Sequence, residues 1–265
     1  MDVLKEFFGI GGYSRTPEGA WSWQHILFTS VMISIMIFLS ILLGLKFRKN
    51  ERIKQKTIVI AAIAINAFEI FKITMLSIRN GDFFDTIIHT LPLFLCSIML
   101  IVLPLAAFTK GRLKEASLDF VLIFGFIAGV FGTVGAAQNY NAYPVLSLDN
   151  VVSAITHCIS AFSSLFIGIT GMATLKAKNM SITVTILLVV VALAQIANLT
   201  IPYNYMFLER HDGTPYSIFY NMVNGNLILY KILVIGGFAL LIGVFYLYRF
   251  LRERVRERNK KVSYA

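Results

Sequence analysis

The sequence predicts an all-α polytopic membrane protein of seven transmembrane helices, with the N-terminus outside and the C-terminus in the cytoplasm. Three observations predict it: the apolar content, the length of the apolar runs, and the one-sided placement of the basic residues. Of 265 residues, 57% are hydrophobic and 14% are charged, whereas soluble domains carry about 25% charged residues. This balance excludes a soluble cytosolic enzyme, a disordered chain and a nucleic-acid-binding domain. The net charge of +10 is therefore read as a topology and headgroup signal, with anionic lipid headgroups as partners of the basic loops and no nucleic acid.

Apolar segments run roughly over 25–45, 57–78, 86–108, 117–137, 151–175, 181–202 and 226–248. Each is close to the ~20 residues that cross a bilayer core as a helix, and twice what a barrel strand needs. Residues 1–24 precede the bundle. MDVLKEFFGIGG lacks the basic start and long apolar core of a signal peptide. Val3, Leu4, Phe7 and Phe8 recur at helical spacing, so a short interfacial helix is expected there. Residues 25–248 hold the seven-helix bundle, and 249–265 form a basic tail.

Charge placement supports an odd helix number. One side collects Lys46, Arg48, Lys49, Arg52, Lys54 and Lys56; Lys110, Arg112 and Lys114; Lys176 and Lys178; and Arg249, Arg252, Arg254, Arg256, Arg258, Lys260 and Lys261. The other side has Lys5, Arg15, Arg79 and Arg210. The rich side is expected in the cytoplasm. Trp21, Trp23, Tyr140, Tyr143, Tyr203, Tyr205, Tyr216 and Tyr220 lie near the opposite boundary, as interfacial anchors do. His25 is expected at that interface too.

Polar residues inside apolar helices are functional candidates because they are costly there. Helix 2 carries Asn66, Glu69 and Lys72, three apart on one face. Helix 3 carries His89 and Cys96, seven apart, with Pro92 between them as an expected kink. Helix 5 carries Ser153, His157, Ser160 and Ser164; helix 6 carries Gln195 and Asn198; helix 7 carries Lys231. Most lie within the outer half of their helices. The expectation is a polar pocket opening outward above a nearly pure apolar inner half.

Structural readings compete for each group. Glu69 and Lys72 can neutralise each other along one helix, and Asn or Gln side chains often join helices. Cys158 adjoins His157 in sequence and so faces about 100° away, a poor partner for it. The remaining chemical constellation is Cys96 with a histidine, since a thiolate is a nucleophile and histidine can take its proton. HExxH, CxxC, GxSxG and Gly-rich phosphate loops are absent from the sequence, so neither a metal nor a cofactor is expected. Lys231 on a seventh helix would suit a retinal protein, but helix 3 offers no carboxylate counter-ion.

Three stretches carry a resemblance. LPLFLCS at 91–97, YPVLSLDNVVSAITHC at 143–158 and NLTIPYNYMFLER at 198–210 resemble segments of the YwaF-like bacterial integral membrane family. That family is related to a mammalian transmembrane acyltransferase of ether-phospholipid remodelling. The resemblance implies Cys96 as acyl carrier and His157 as its base, with Asn204 and Tyr205 shaping the outer pocket. It also implies a bacterial plasma membrane. Phe94 stands where family members often have His, which shifts weight to His157 and His89.

Two functions are thus expected. The first is a lipid acyltransferase that acts on membrane phospholipid or its acyl chain. It would use Cys96, His157 and His89, with Asn66, Gln195, Asn198 or Lys231 near the reacting ester. The second is a non-enzymatic binding or transport protein for a small solute or lipid, built on Glu69, Lys72 and Lys231. Oligomeric state is not legible from the sequence.

Overall fold

The computed structural model describes residues 2–212 and 214–263, all of it helix, turn and loop among the described residues. A short α1 (Asp2–Phe8) stands where the N-terminal helix is expected. The long elements are α2 (Trp23–Phe47), α3 (Glu51–Asn80), α6 (Gly111–Val134), α8 (Leu148–Thr170), α9 (Ala177–Thr200) and α11 (Leu227–Ser263). Between them lie α4 (Phe83–His89), α5 (Met99–Phe108), α7 (Ala137–Ala142) and α10 (Ser217–Met222). Six stretches are long and apolar enough to cross a membrane: α2, α3, α6 together with α7, α8, α9, and Leu227–Arg256 of α11. The basic tail is not separate from the last helix, because α11 runs on to Ser263. The side chains of Arg258, Lys260 and Lys261 lie outside the described set.

Local chemistry sets the helix ends. Ser22 Oγ accepts the His25 N–H, Asn50 Oδ1 the Ile53 N–H, and Ser147 Oγ the Asn150 N–H, each an N-cap that satisfies a free donor. Gly171 in the left-handed region (φ 70°) ends α8 at Thr170, five residues short of the predicted 175. Arg52, Lys54 and Lys56 belong to the first turns of α3 and not to a loop.

The expected continuous helix over 86–108 is corrected. Residues 90–98 are turns, so the segment is two short helices with a break around Pro92. It still runs antiparallel to α3 along its length. Asn80 Nδ2 reaches Thr86 Oγ1 (3.4 Å), Asn66 Nδ2 donates to the Leu100 carbonyl (3.1 Å), and Gln55 Nε2 donates to the Ala107 carbonyl (2.6 Å). Pro104 explains the middle rung: it lacks the N–H that would otherwise bond Leu100, four residues back. The Asn66 side chain supplies the missing donor.

The tightest packing joins α6 to α8, where glycines let the backbones approach. A Cβ at Gly125 would lie 2.8 Å from the Ser160 carbonyl oxygen, and one at Gly129 would lie 2.4 Å from that of His157. The core around this seam holds Phe120, Phe124, Phe166, Ile98, Met99 and Leu103. Facing outward, Ile26, Phe38, Ile60, Ile63, Leu193 and Leu240 are exposed, a surface suited to lipid and not to water.

The apolar half at the basic end holds a buried carboxylate that the sequence analysis passed over. Asp119 is fully buried. Its Oδ1 accepts the N–H groups of Thr174 and Leu175 (3.0 and 2.9 Å), and its Oδ2 accepts the Tyr246 hydroxyl (2.9 Å). Tyr246 in turn meets Thr183 Oγ1 at 2.9 Å. One carboxylate thus joins α6, the α8–α9 connection, α9 and α11, its acceptor capacity filled by donors.

Candidate functional site

A cavity of about 600 Å3 lies at the half of the bundle away from the basic loops. Its walls come from α3, the broken α4–α5 segment, α7, the first turns of α8, and Tyr203. Non-helical backbone at membrane depth is tolerated where it lines a cavity or is bonded by neighbours, and the break meets both conditions. Ser97 Oγ accepts the Phe94 N–H at 3.0 Å, and the Tyr205 hydroxyl donates to the Ile88 carbonyl. Phe94 packs against Tyr203, Tyr205 and Phe207 in an aromatic cluster beside the break.

Seven of the polar candidates read from the sequence meet in this cavity: Glu69, Lys72, His89, Cys96, Ser153, His157 and Ser160. Cys96 is presented from the turn before α5, not from a helix face shared with His89. His157 comes from α8, with its Nδ1 3.3 Å from Ser153 Oγ. Its ring lies against the bare backbone of Gly132, where a Cβ would come within 2.3 Å of Nε2. No hydrogen bond between Cys96 and His157 is formed among the described residues. Glu69 Oε1 and Lys72 Nζ pair at 2.7 Å, with side chains only 12% and 16% exposed. His89 is nearer solvent; its Nδ1 meets the Asp85 carbonyl oxygen at 2.8 Å. Both cysteines are free thiols, and Cys158 packs against Met36 and Ala161 away from the cavity.

The other predicted site residues lie elsewhere. Asn66 makes the Leu100 rung described above. Gln195 Nε2 and Lys231 Nζ both donate to Glu209 Oε1, at 2.8 and 2.6 Å. Asn198 clamps the Tyr205 backbone from both sides, accepting its N–H at 2.7 Å and donating to its carbonyl at 3.1 Å. Asn204 accepts the Glu209 N–H (2.9 Å) and donates to Asp212 Oδ2 (2.6 Å). These groups fold residues 198–212 into a tight loop in which Met206 and Phe207 both have φ 55°, a strained conformation for residues with side chains. In the loop, burial raises the Glu209 carboxyl, but Lys231 and Gln195 outweigh it and hold the group below the usual glutamate range.

Sequence reasoning missed the group at the cavity mouth. Arg79 makes a two-pronged ion pair with Asp149, at 2.7 and 2.9 Å, and the Tyr13 hydroxyl donates to Asp149 Oδ2 at 2.6 Å. Arg79 lies seven residues after Lys72 on α3 and so nearly in line with it. That spacing was the available signal. The network also ties the N-terminal segment across the mouth. Glu18 Oε2 accepts the Val145 N–H, and the Ala20 N–H is held by Asn141 Oδ1.

An integral membrane protein of helical bundle architecture, with one broken apolar segment around a charged cavity, is the class that fold and site define. The chain belongs to the TMEM164 family, whose model matches residues 20–248. No curated protein and no solved structure matches it.

Proposed function

We propose that the protein is a membrane-embedded phospholipid acyltransferase that carries the acyl chain on Cys96. The observation that supports it is the convergence of Cys96 and His157, from different elements, on one cavity at lipid depth. In this reading residues 83–108 make a third crossing, which gives seven crossings with the N-terminus outside and the basic end in the cytoplasm. The membrane would be a bacterial plasma membrane, following the YwaF-like resemblance.

The chemistry balances as two transfers. His157 takes the Cys96 proton, and the thiolate attacks the ester carbonyl of a phospholipid. The tetrahedral oxyanion forms within reach of the Lys72 ammonium, which opposes its charge. The C–O bond then breaks, and the lysophospholipid oxygen takes the proton from His157, leaving a thioester. An acceptor alcohol gives its proton to His157 and attacks the thioester. The C–S bond breaks and the thiolate regains the proton. His89, half exposed at the mouth, would assist acceptor entry.

Intact-mass spectrometry of purified protein after incubation with phospholipid tests this. A hydroxylamine-labile acyl mass is expected on the wild type and absent from Cys96→Ala. Absence of any adduct on the wild type, with the protein folded, overturns the reading.

One observation favours the alternative of a solute or lipid binding or transport protein. The cavity wall carries two ion pairs, Glu69–Lys72 and Arg79–Asp149, more fixed charge than thioester chemistry requires. In that case Glu69→Lys would abolish ligand retention while Cys96→Ala would not.

A further inference from the structure

A second cavity shares no residue with the first. It is a groove of about 430 Å3 between the N-terminal turns of α2 and the end of α6, lined by Trp21, His25, Thr29, Ser30, Ser34 and Val134. His25, which the sequence places at the interface, is fully buried. Its ring lies 4.0 Å from that of the buried Tyr140, centroid to centroid.

The backbone fixes the state of the imidazole. The Trp21 N–H donates to His25 Nδ1 at 2.9 Å, so Nδ1 is the acceptor nitrogen and Nε2 carries the proton. That Nε2–H is buried and has no hydrogen-bond partner. Buried donors are almost always paired, so an unpaired one on a residue that lines a cavity marks a missing acceptor, which the exposed Trp21 indole, edge-on to the imidazole, must turn aside to admit. Trp21, which carries the bond, holds a left-handed backbone (φ 67°) to deliver it and leaves its indole 64% exposed. The arrangement therefore keeps a neutral histidine donor in place by a strained residue.

The geometry points to a phospholipid site in this groove, with a glycerol ester carbonyl accepting from His25 Nε2–H. The depth fits. His25 is the third residue of α2, one turn inside the boundary marked by the exposed Trp21 and Trp23, where ester groups lie below headgroups. The occupant must be apolar below that point. Ile26 and Ile33, seven residues apart on α2, line the groove toward the bilayer centre, and acyl chains would lie along them. Ser30 and Ser34 are exposed on the same face, within reach of the second ester. The site is independent of the acyltransferase reading, since it uses neither Cys96 nor His157.

The chain has only two tryptophans, which makes the test direct. Trp23→Phe leaves Trp21 as the sole indole, on the groove wall. The full chain is placed in phosphatidylcholine vesicles doped with brominated phosphatidylcholine, either as the diester or as the matched diether. Quenching at Trp21 is expected to show a diester preference of about three- to tenfold, the worth of one hydrogen bond. His25→Phe should abolish the preference. Val134→Phe, which fills the groove and leaves His25 in place, should also abolish it and decides the matter if His25→Phe does not fold. Cys96→Ala should leave it unchanged. Equal quenching by diester and diether in the parent, or a preference that survives in both His25→Phe and Val134→Phe, overturns the proposal.

Discussion

The imidazole of His157 occupies the space where a side chain at Gly132 would begin, because a Cβ there would lie 2.3 Å from both Nε2 and Cδ2. The ring is held on its other side by Ser153. Gly132→Ala is therefore expected to push the imidazole aside without parting the helices. A displacement of about 1 Å in a reacting group can slow a reaction about 100-fold. On the proposed acyltransferase reading, the measurement is the rate of hydroxylamine-labile acyl accumulation beside the melting temperature: the rate should fall about 100-fold and the melting temperature barely move. Gly129→Ala should differ. Its Cβ meets the His157 backbone oxygen at 2.4 Å, so α6 and α8 must separate, at about 1–3 kcal/mol.

Asn66 and Pro104 should be energetically coupled. Removing the Asn66 amide strands the Leu100 carbonyl, and interhelical hydrogen bonds in membranes are worth about 1–2 kcal/mol. Pro104→Ala restores a backbone N–H to the same carbonyl. Asn66→Ala alone should destabilise, and the double variant should recover part of the loss. A double-mutant cycle on unfolding free energies checks this; strict additivity would refute the rung.

At the cavity mouth, Arg79→Ala leaves the Asp149 carboxylate, 9% exposed, with only the Tyr13 hydroxyl. Breaking a buried ion pair on one side typically costs about 3–5 kcal/mol. Tyr13→Phe removes two hydrogen bonds, the one it donates to Asp149 and the one it accepts from Arg79, and should cost about 0.5–1.5 kcal/mol for each. Limited proteolysis of residues 9–20 reads the same network. Both variants should speed cleavage, Arg79→Ala more.

The loop over 198–212 should loosen in acid. Glu209 has a folded pKa below its ordinary value of about 4.3, because bonds from Lys231 and Gln195 outweigh the upward effect of burial. A depressed carboxylate stabilises the folded state above its unfolded pKa, and that contribution disappears as pH falls through the folded value. Hydrogen exchange at Tyr205–Leu208 should be slow and flat at neutral pH, after correction for intrinsic rates, and lose protection only as pH falls below the ordinary glutamate value. Glu209→Gln should remove that acid transition.

The helices were legible because length and apolarity are sequence properties, whereas the caps at Ser22, Asn50 and Ser147 emerge only from the structure. The break in 86–108 was not. Its apolar run is as long as that of its neighbours, and Pro92 alone predicts a kink. It opens around Pro92, which withholds an N–H from the Ile88 carbonyl four residues back; Tyr205, from a distant part of the chain, supplies that donor, as Asn66 does for Leu100 before Pro104. In the site, Glu69, Lys72, Cys96 and His157 stood out because polar groups within apolar runs are rare. Arg79 and Asp149 sit at the ends of such runs, where charge is ordinary, and Asp119 was hidden in the same way at the other end. His25 read as interfacial because its position is interfacial; its burial depends on Tyr140, more than a hundred residues later.

The break has a consequence for biogenesis. The Ile88 carbonyl takes its hydrogen bond from Tyr205, 117 residues further along the chain. While the chain is being synthesised, the segment around Pro92 enters the bilayer long before that hydroxyl exists. Pro92, four residues on, has no N–H, so this carbonyl lacks a helical partner until α9 is inserted and the loop after it closes. The cavity wall at the break is thus completed late, once its last partner leaves the ribosome.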